Sequence, residues 1–382
     1  MTNDDRAGDR DAFLATTPWA DAARTALQHD ASTRRYWRLT RTPTDGNGKS
    51  NGPPGSALLM DAPPSLETQS CPPTASPAMR EAMGYNACAR LAGGRMAPFV
   101  EIARCLTDAG LSAPQILAHD EEKGFALIED LGDDLFARLL DQDRPQADEL
   151  TLYEAAVDVL INLARRRIRP GDEESYKSDT PLQTYDETAM LAETQLLTDW
   201  YVPHCTATSL APDATQALRE AWRTLIQSLP EPGTMVLRDY HAENLLWLAA
   251  REGLARTGVI DFQDGLWGHH GYDLVSLLED ARRDVNPAIV PILINRYMAG
   301  LGFSDTERAA FAGHYAILGA QRNAKILGIF ARLANRDGKT RYLDLLPRVE
   351  GHFRRNLIHP LLTPIRTLIA PYLPHLTKGA DA

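Results

Sequence analysis

Within residues 235–264, Asp239 is followed five positions on by Asn244, and Asp261 comes after a further apolar run. Two acids and an amide in that order meet the needs of phosphoryl transfer. One carboxylate accepts the proton of an attacking hydroxyl, and the amide oxygen and second carboxylate hold the magnesium that bridges the β- and γ-phosphates of the donor. A plainer explanation competes for each residue alone, because Asp and Asn are turn residues and a hairpin here needs turn chemistry in any case. The ordered string is harder to explain that way. Arg-Asp, an Asn five residues on, an apolar strand leading to Ile-Asp-Phe, and Gly271-Tyr272-Asp273-Leu274 opening a helix together point to a phosphotransferase. Asp239 is then the base, and Asn244 and Asp261 are the metal ligands.

Short strands must position these groups. The apolar runs at 235–237, 245–248 and 259–260 fit strands around a turn, a hairpin that carries the base and then the metal ligand. Upstream, residues 32–39 alternate bulky and polar side chains and read as a strand, with 57–62 as the returning strand. Residues 98–109 show helical spacing closed by Gly110, and 115–119 with 124–128 form a hairpin. The polar break 129–134, with Gly132 behind a buried strand, is the expected hinge. From Leu135 the spacing is mostly helical: Leu150, Tyr153, Val157, Leu160 and Ala164 mark one amphipathic helix, and Leu218, Trp222, Leu225 and Leu229 another.

The expected class is α+β with a protein-kinase-like bilobal plan. Residues 1–10 are expected as a disordered tail. A small mixed β lobe follows over 11–130, binding nucleotide, starting with a helix within 11–28, and interrupted by Pro/Gly-rich insertions at 43–56 and 63–77. Residues 131–382 form the larger, mostly helical lobe that carries catalysis and substrate binding.

Composition removes other classes. With 382 residues and 44% hydrophobic residues the chain can pack a substantial core. A net charge of -11 argues against nucleic acid as a partner, since phosphate backbones call for clustered Lys and Arg. Cys71, Cys88, Cys105 and Cys205 are too few and too scattered for a disulfide framework or a Cys-x-x-Cys metal site. The first residues are acidic and polar, and no apolar run approaches the ~20 residues of a membrane span. A cytoplasmic monomer with no membrane partner is expected.

Five motifs carry a family resemblance. They are Asp30-Ala31-Ser32-x-Arg34-Arg35-Tyr36, Met60-Asp61-Ala62-Pro63-Pro64, Arg238-Asp239-Tyr240-His241-x-x-Asn244, Val259-Ile260-Asp261-Phe262-Gln263-Asp264 and Tyr272-Asp273-Leu274-Val275-Ser276-Leu277. The chain resembles the aminoglycoside-phosphotransferase-like kinases. Within them it is most similar to the bacterial kinases that phosphorylate N-acetylmuramate and N-acetylglucosamine at C1 during cell-wall recycling. The resemblance implies ATP and Mg²⁺ as cofactors and an amino sugar as acceptor. It implies nucleotide contacts from Ser32, Arg34, Arg35, Met60, Glu129 and Leu131. Support of the loop or the substrate is implied for His241, Asp264, Asp273 and Arg282.

Two departures stand out. A protein kinase places a Lys on the strand occupied here by 57–62, to face the α- and β-phosphates, and this strand has none. Arg34 or Arg35 on the preceding strand is the expected substitute, since a guanidinium grips phosphate oxygens bidentately. Without that Lys, Glu101 is expected to be an exposed helix residue. His241 reads as a hydrogen-bonding residue of the loop, and Asp273 as a brace at a helix N-terminus, where the dipole favours a carboxylate. Arg282 and Arg283 either complement the dipole at the end of that helix or contact an anionic substrate. An aminoglycoside or choline-like acceptor stays open through the acidic Asp133, Asp134, Glu173 and Glu174. A regulatory module without turnover is the other alternative, and the intact Asp239, Asn244 and Asp261 speak against it.

Overall fold

The computed structural model describes all residues except 1–2, 28–33, 42–54, 64–71, 73, 90, 92–95, 142–146, 173–175, 179–180 and 378–382. Ser32, Cys71, Glu173, Glu174 and most of the two insertions therefore lie outside the described residues.

The first lobe is built on strands β1 (Ala23–Ala26), β2 (Arg35–Thr40), β3 (Ser56–Asp61), β4 (Ile116–Asp120) and β5 (Phe125–Glu129), in the order β1-β2-β3-β5-β4. Every pairing is antiparallel. Alternation splits its two faces. Ala57 and Leu59 of β3 and Phe125 and Leu127 of β5 pack with Phe13, Leu14 and Trp19 of the first helix and the turn after it. Met60, Ala126 and Ile128 face the other way, into the core that holds Phe99 and Ile102.

That first helix, α1 (Asn3–Ala15), corrects one expectation. Residues 3–10 are helical where a disordered tail was expected. The helix expected within 11–28 covers 11–15 and stops just before Thr17-Pro18, and 23–26 is a strand. Polar as it is, the segment is held by partners far along the chain. Arg6 Nε donates to Asp61 Oδ1 at 2.9 Å, its guanidinium lies 4.6 Å over the Phe125 ring, and that of Arg10 lies 4.2 Å over Trp37. Such cation–ring contacts contribute roughly 0.5–1 kcal/mol each at exposed sites.

Between β3 and β4 come α2 (Pro77–Met83), α3 (Tyr85–Ala89) and α4 (Met96–Asp108). Gly110, at φ +78, ends the turn after α4 in the left-handed conformation that glycine adopts without penalty. Residues 77–89 and Leu91 precede the hinge in sequence but pack on the second lobe. Buried Arg80 pairs with Asp186 and donates to Cys88 O at 2.8 Å, and Leu91 joins the helical core.

The second lobe holds α5 (Phe136–Leu139), α6 (Glu149–Arg166) and α7 (Glu187–Leu196), which runs through a π-helical stretch (Leu197–Tyr201) into α8 (Val202–Thr206), then α9 (Pro212–Gln227). Four three-residue strands follow: β6 (Thr234–Val236), β7 (Leu245–Trp247), β8 (Thr257–Val259) and β9 (Leu266–Gly268). The remainder is α10 (Tyr272–Leu278), α11 (Val290–Leu301), α12 (Asp305–Asp337), α13 (Leu346–Leu357), α14 (Thr363–Ile369) and α15 (Pro374–Thr377). Caps set the helix starts. Asp148 accepts from Thr151 N at 2.9 Å, and Ser304 with Glu307 forms a capping box. The long α12 crosses α7 so closely that a Cβ at Gly328 would collide with the Leu196 backbone.

Of the three apolar runs around the expected hairpin, β7 and β8 pair with each other, whereas β6 pairs with β9. The loop that carries Asp239 thus hangs between two small sheets. One core cluster continues from the first lobe through α4 into α6 and α10, with the rings of Phe99 and Phe262 stacked at 5.2 Å.

Candidate active site

The loop after β6 is held from below before it presents any chemistry. Asp273, at the start of α10, accepts from Leu237 N at 2.6 Å and Arg238 N at 2.9 Å. Burial pushes its carboxyl up to about 7, against those two amides, which favour the charged form. Arg238 adopts φ +71; its buried guanidinium pairs with Glu193 and donates to Ala89 O at 2.9 Å. Tyr240 O–H reaches Ala156 O at 2.9 Å. With its neighbours on both sides anchored inward, Asp239 is left exposed at the surface of the loop.

Hairpin register then brings the other two groups together. Leu245 pairs with Val259, and Ile260 N donates to Asn244 O at 3.1 Å, so Asn244 and Asp261 emerge side by side at one end of β7 and β8. Asp261 adopts φ +59, which an L residue rarely does; such backbone strain costs of order 1–3 kcal/mol and gathers at functional sites. Its carboxylate, 43% exposed, accepts from Gln263 Nε2 at 2.8 Å and Arg34 Nη1 at 3.3 Å. Lost hydration and then the negative charge of Asp239 push the carboxyl above the ordinary range, with Arg34 opposing. A site that crowds negative charge in this way fits a cation. Asn244 and Asp261 both offer oxygen, which suits a hard ion held by one or two side chains and completed by phosphate and water.

Both residues line one end of a cleft of about 490 Å³ between the lobes, whose walls include Leu58, Ile128, Leu131, Leu246 and Phe262. This mainly apolar slot with polar groups at one end has the form of a small-molecule site. Glu129 and Leu131 line it as expected of hinge residues, and Glu129 is held by Arg251 at 2.5 Å. Met60 does not line it. It is 1% exposed in the core, its sulfur 3.3 Å from Tyr36 O–H, which corrects its assignment as a nucleotide contact.

The two candidate arginines separate because Arg34 immediately precedes β2 and Arg35 opens it, and neighbours in extended chain point to opposite sides. Arg34, 15% exposed, is turned to Asp261, while Arg35 is exposed at the start of β2. Arg34→Ala is therefore expected to raise the apparent KM for ATP or lower kcat, with Arg35→Ala the weaker of the two in steady-state kinetics. Equal, near-wild-type behaviour of both would move the phosphate-facing cation elsewhere.

Other expectations change. Glu101 is not an exposed helix residue: it accepts from Ser178 Oγ at 2.6 Å and pairs with Arg104. Arg282 and Arg283 lie beyond the end of α10 and cannot serve its dipole. Arg283 pairs with Glu149 at 2.5 Å and donates to Tyr153 O–H at 2.9 Å. Arg282, by contrast, turns to the catalytic loop, 2.8 Å from Glu243 and 3.2 Å from His241 Nε2. Burial takes the His241 imidazole down to about 3, so it is neutral. Asp264 sits in the turn closed by Gly265 N to Phe262 O, near enough to add to the negative charge on Asp261.

Sequence reasoning missed Arg38, Tyr36 and Gln263. Arg38 reaches Asp130 and Asp133 at 2.8 Å each and ties β2 to the hinge. The period of two along β2 held the signal: Arg34, Tyr36 and Arg38 share a face, and the latter two line the cleft.

The bilobal fold, with Asp239 exposed on a loop and Asn244 and Asp261 side by side on the adjoining hairpin, has the form of a phosphotransferase of kinase-like architecture. The Phosphotransferase enzyme family matches over residues 24–312, and the chain belongs to that family. It is 41% identical, over 96% of each chain, to the N-acetylmuramate/N-acetylglucosamine kinase of Caulobacter vibrioides, and 32% identical to that of Pseudomonas aeruginosa, over 92% of this chain and 88% of that one. Among solved structures, a microcompartment-associated aminopropanol kinase shares the fold with a TM-score of 0.53 at 13% identity, covering 98% of this chain and 99% of that one. Plasmodium vivax ethanolamine kinase does so at 0.51 and 9%, covering 93% and 86%. No helix among the described residues is long and apolar enough to cross a membrane.

Proposed function

We propose that the protein transfers the γ-phosphoryl group of ATP to the anomeric C1 hydroxyl of N-acetylmuramate and N-acetylglucosamine, in the reuse of cell-wall sugars. The observation that carries this reading is Asp239 standing exposed beside the cleft end formed by Asn244 and Asp261, in a chain whose relatives at 41% and 32% identity bear that substrate pair in their names. The cleft walls hold the nucleotide, with its phosphates directed toward Arg34. Asn244 and Asp261 would hold Mg²⁺, which neutralises charge between the β- and γ-phosphates. Asp239 orients the C1 hydroxyl and takes its proton. As the new O–P bond forms, the bond to the bridging oxygen breaks and ADP leaves. An anomeric hydroxyl is more acidic than an ordinary alcohol, and so better matched to a carboxylate base.

Arg282, paired at its Nε with Glu243, is the cation we assign to a lactyl carboxylate. It is 34% exposed beside the catalytic loop, whereas Arg283 is committed to α6. The test follows the product. Each sugar incubated with ATP should yield a non-reducing, acid-labile monophosphate. A product that still reduces, or survives mild acid, places the phosphate on another hydroxyl and overturns the acceptor assignment. In Arg282→Ala the ratio of kcat/KM for N-acetylmuramate over N-acetylglucosamine should fall roughly 10–100-fold, the worth of a hydrogen bond to a charged group. The ratio cancels any effect on the loop common to both sugars, and an unchanged ratio removes Arg282 from carboxylate recognition.

A further inference from the structure

We propose that His241 is a positioning residue for Asn244: its Nε2 accepts from the Asn244 amide and thereby turns Asn244 Oδ1 toward the cleft. The proposal rests on the reading of Asn244 as a metal ligand, and the experiment below separates the two.

Asn244 Nδ2 donates to Asp239 O at 2.9 Å and lies 3.3 Å from His241 Nε2. An amide carries its oxygen opposite its NH₂ group, so two acceptors gathered on the nitrogen leave the oxygen facing away from them. Asn244 lines the cleft beside Asp261. The role of Nε2 is decided by a third group. Arg282 Nη1 is 3.2 Å from the same ring nitrogen, and a guanidinium has only protons to offer. Nε2 therefore presents its one lone pair, which the Arg282 and Asn244 donors share, and the ring proton sits on the buried Nδ1, which has no hydrogen-bond partner among the described residues. Flipping the Asn244 amide would set Oδ1 against both the Asp239 carbonyl and that lone pair. The ring has little freedom to move aside: His241 is 4% exposed, and Asn244 N donates back to His241 O at 2.8 Å. Arg282, His241 and Asn244 thus form a chain of hydrogen bonds from the acceptor side of the loop to the metal side.

Partners that orient metal ligands typically contribute 10–100-fold in metal affinity. The probe is Mn²⁺, whose free concentration is read by electron paramagnetic resonance as it is titrated into the full-length protein with a non-hydrolysable ATP analogue. His241→Leu and His241→Phe lack the acceptor, and the second keeps a ring in place should the first fail to fold. Each should weaken Mn²⁺ binding by roughly 10–100-fold. His241→Gln, whose amide oxygen can accept from Asn244, should retain most of the affinity. Wild-type Mn²⁺ affinity in the Leu or Phe variant overturns the proposal. So does a loss in Gln as large as in Leu and Phe, since the ring's bulk would then be what matters. Asn244→Ala is the separate arm. If it binds Mn²⁺ as the wild type does, the metal assignment itself fails and the proposal falls with it, whatever the His241 variants show.

Discussion

Asp239→Asn is expected to lower kcat by roughly 10²–10⁴-fold, the usual contribution of a general base, while ATP affinity changes little. Asp239 lies on the exposed side of its loop and does not line the cleft, so the proposed mechanism has its carboxylate act on the acceptor proton and take no part in holding ATP. Asn has almost the same shape, and the Asn244 side-chain amide donates to the main-chain oxygen of Asp239, a bond that the Asp239 side chain takes no part in. The loop should stay in place, pinned by Asp273 and by Arg238. Single-turnover phosphoryl transfer and direct nucleotide binding measure the two halves separately. Turnover near the wild-type rate would remove Asp239 from the mechanism, and a large loss of ATP affinity would give it a different role.

Asp261→Asn should weaken MgATP binding and slow catalysis together, because in the proposed mechanism the carboxylate would hold the magnesium ion that accompanies ATP. Asn suits this position better than Ala, since it tolerates the left-handed φ of +59 and can still accept from Gln263. Without nucleotide, the sign of the stability change reverses. The folded environment raises the Asp261 carboxyl above its ordinary value, so as pH rises through and past the carboxylate range the unfolded chain ionises first. The folded state loses stability across that window. Asn cannot ionise and escapes the penalty. The apo variant should therefore melt no lower than wild type near neutral pH, with only a small gain, because 43% of the side chain is exposed to screening solvent. Calorimetry with and without MgATP reads both effects. A variant that keeps full MgATP stabilisation would strike Asp261 from the metal site.

The sequence by itself determined what depends on near neighbours. The strand at 35–40, the hairpin Ile116–Asp120 with Phe125–Glu129, the helix ending before Gly110 and the paired β7 and β8 all stand where alternation, helical spacing and turn residues placed them. The trio Asp239, Asn244 and Asp261 was readable for the same reason: a loop and a two-stranded hairpin bring it together, and both write their geometry into short spacings. The tertiary structure decided the rest, because it depends on partners the local pattern does not contain. β1 is four exposed residues with no apolar face to declare it. β6 and β9 are three residues each, and their pairing joins segments about thirty residues apart, Thr234 with Gly268, which local spacing does not announce. The polar start of α1 becomes a helix through Arg6 and Arg10, whose partners Asp61, Phe125 and Trp37 come from three strands of the sheet. Alternation says that Arg34 and Arg35 face opposite ways but not which of them meets Asp261; only the folded structure, with Arg34 Nη1 3.3 Å from Asp261 Oδ1, settles that. Arg282 and Arg283 are adjacent and alike in sequence. One meets Glu243 of the loop and the other Glu149 of α6, and only the path of the chain after α10 tells them apart.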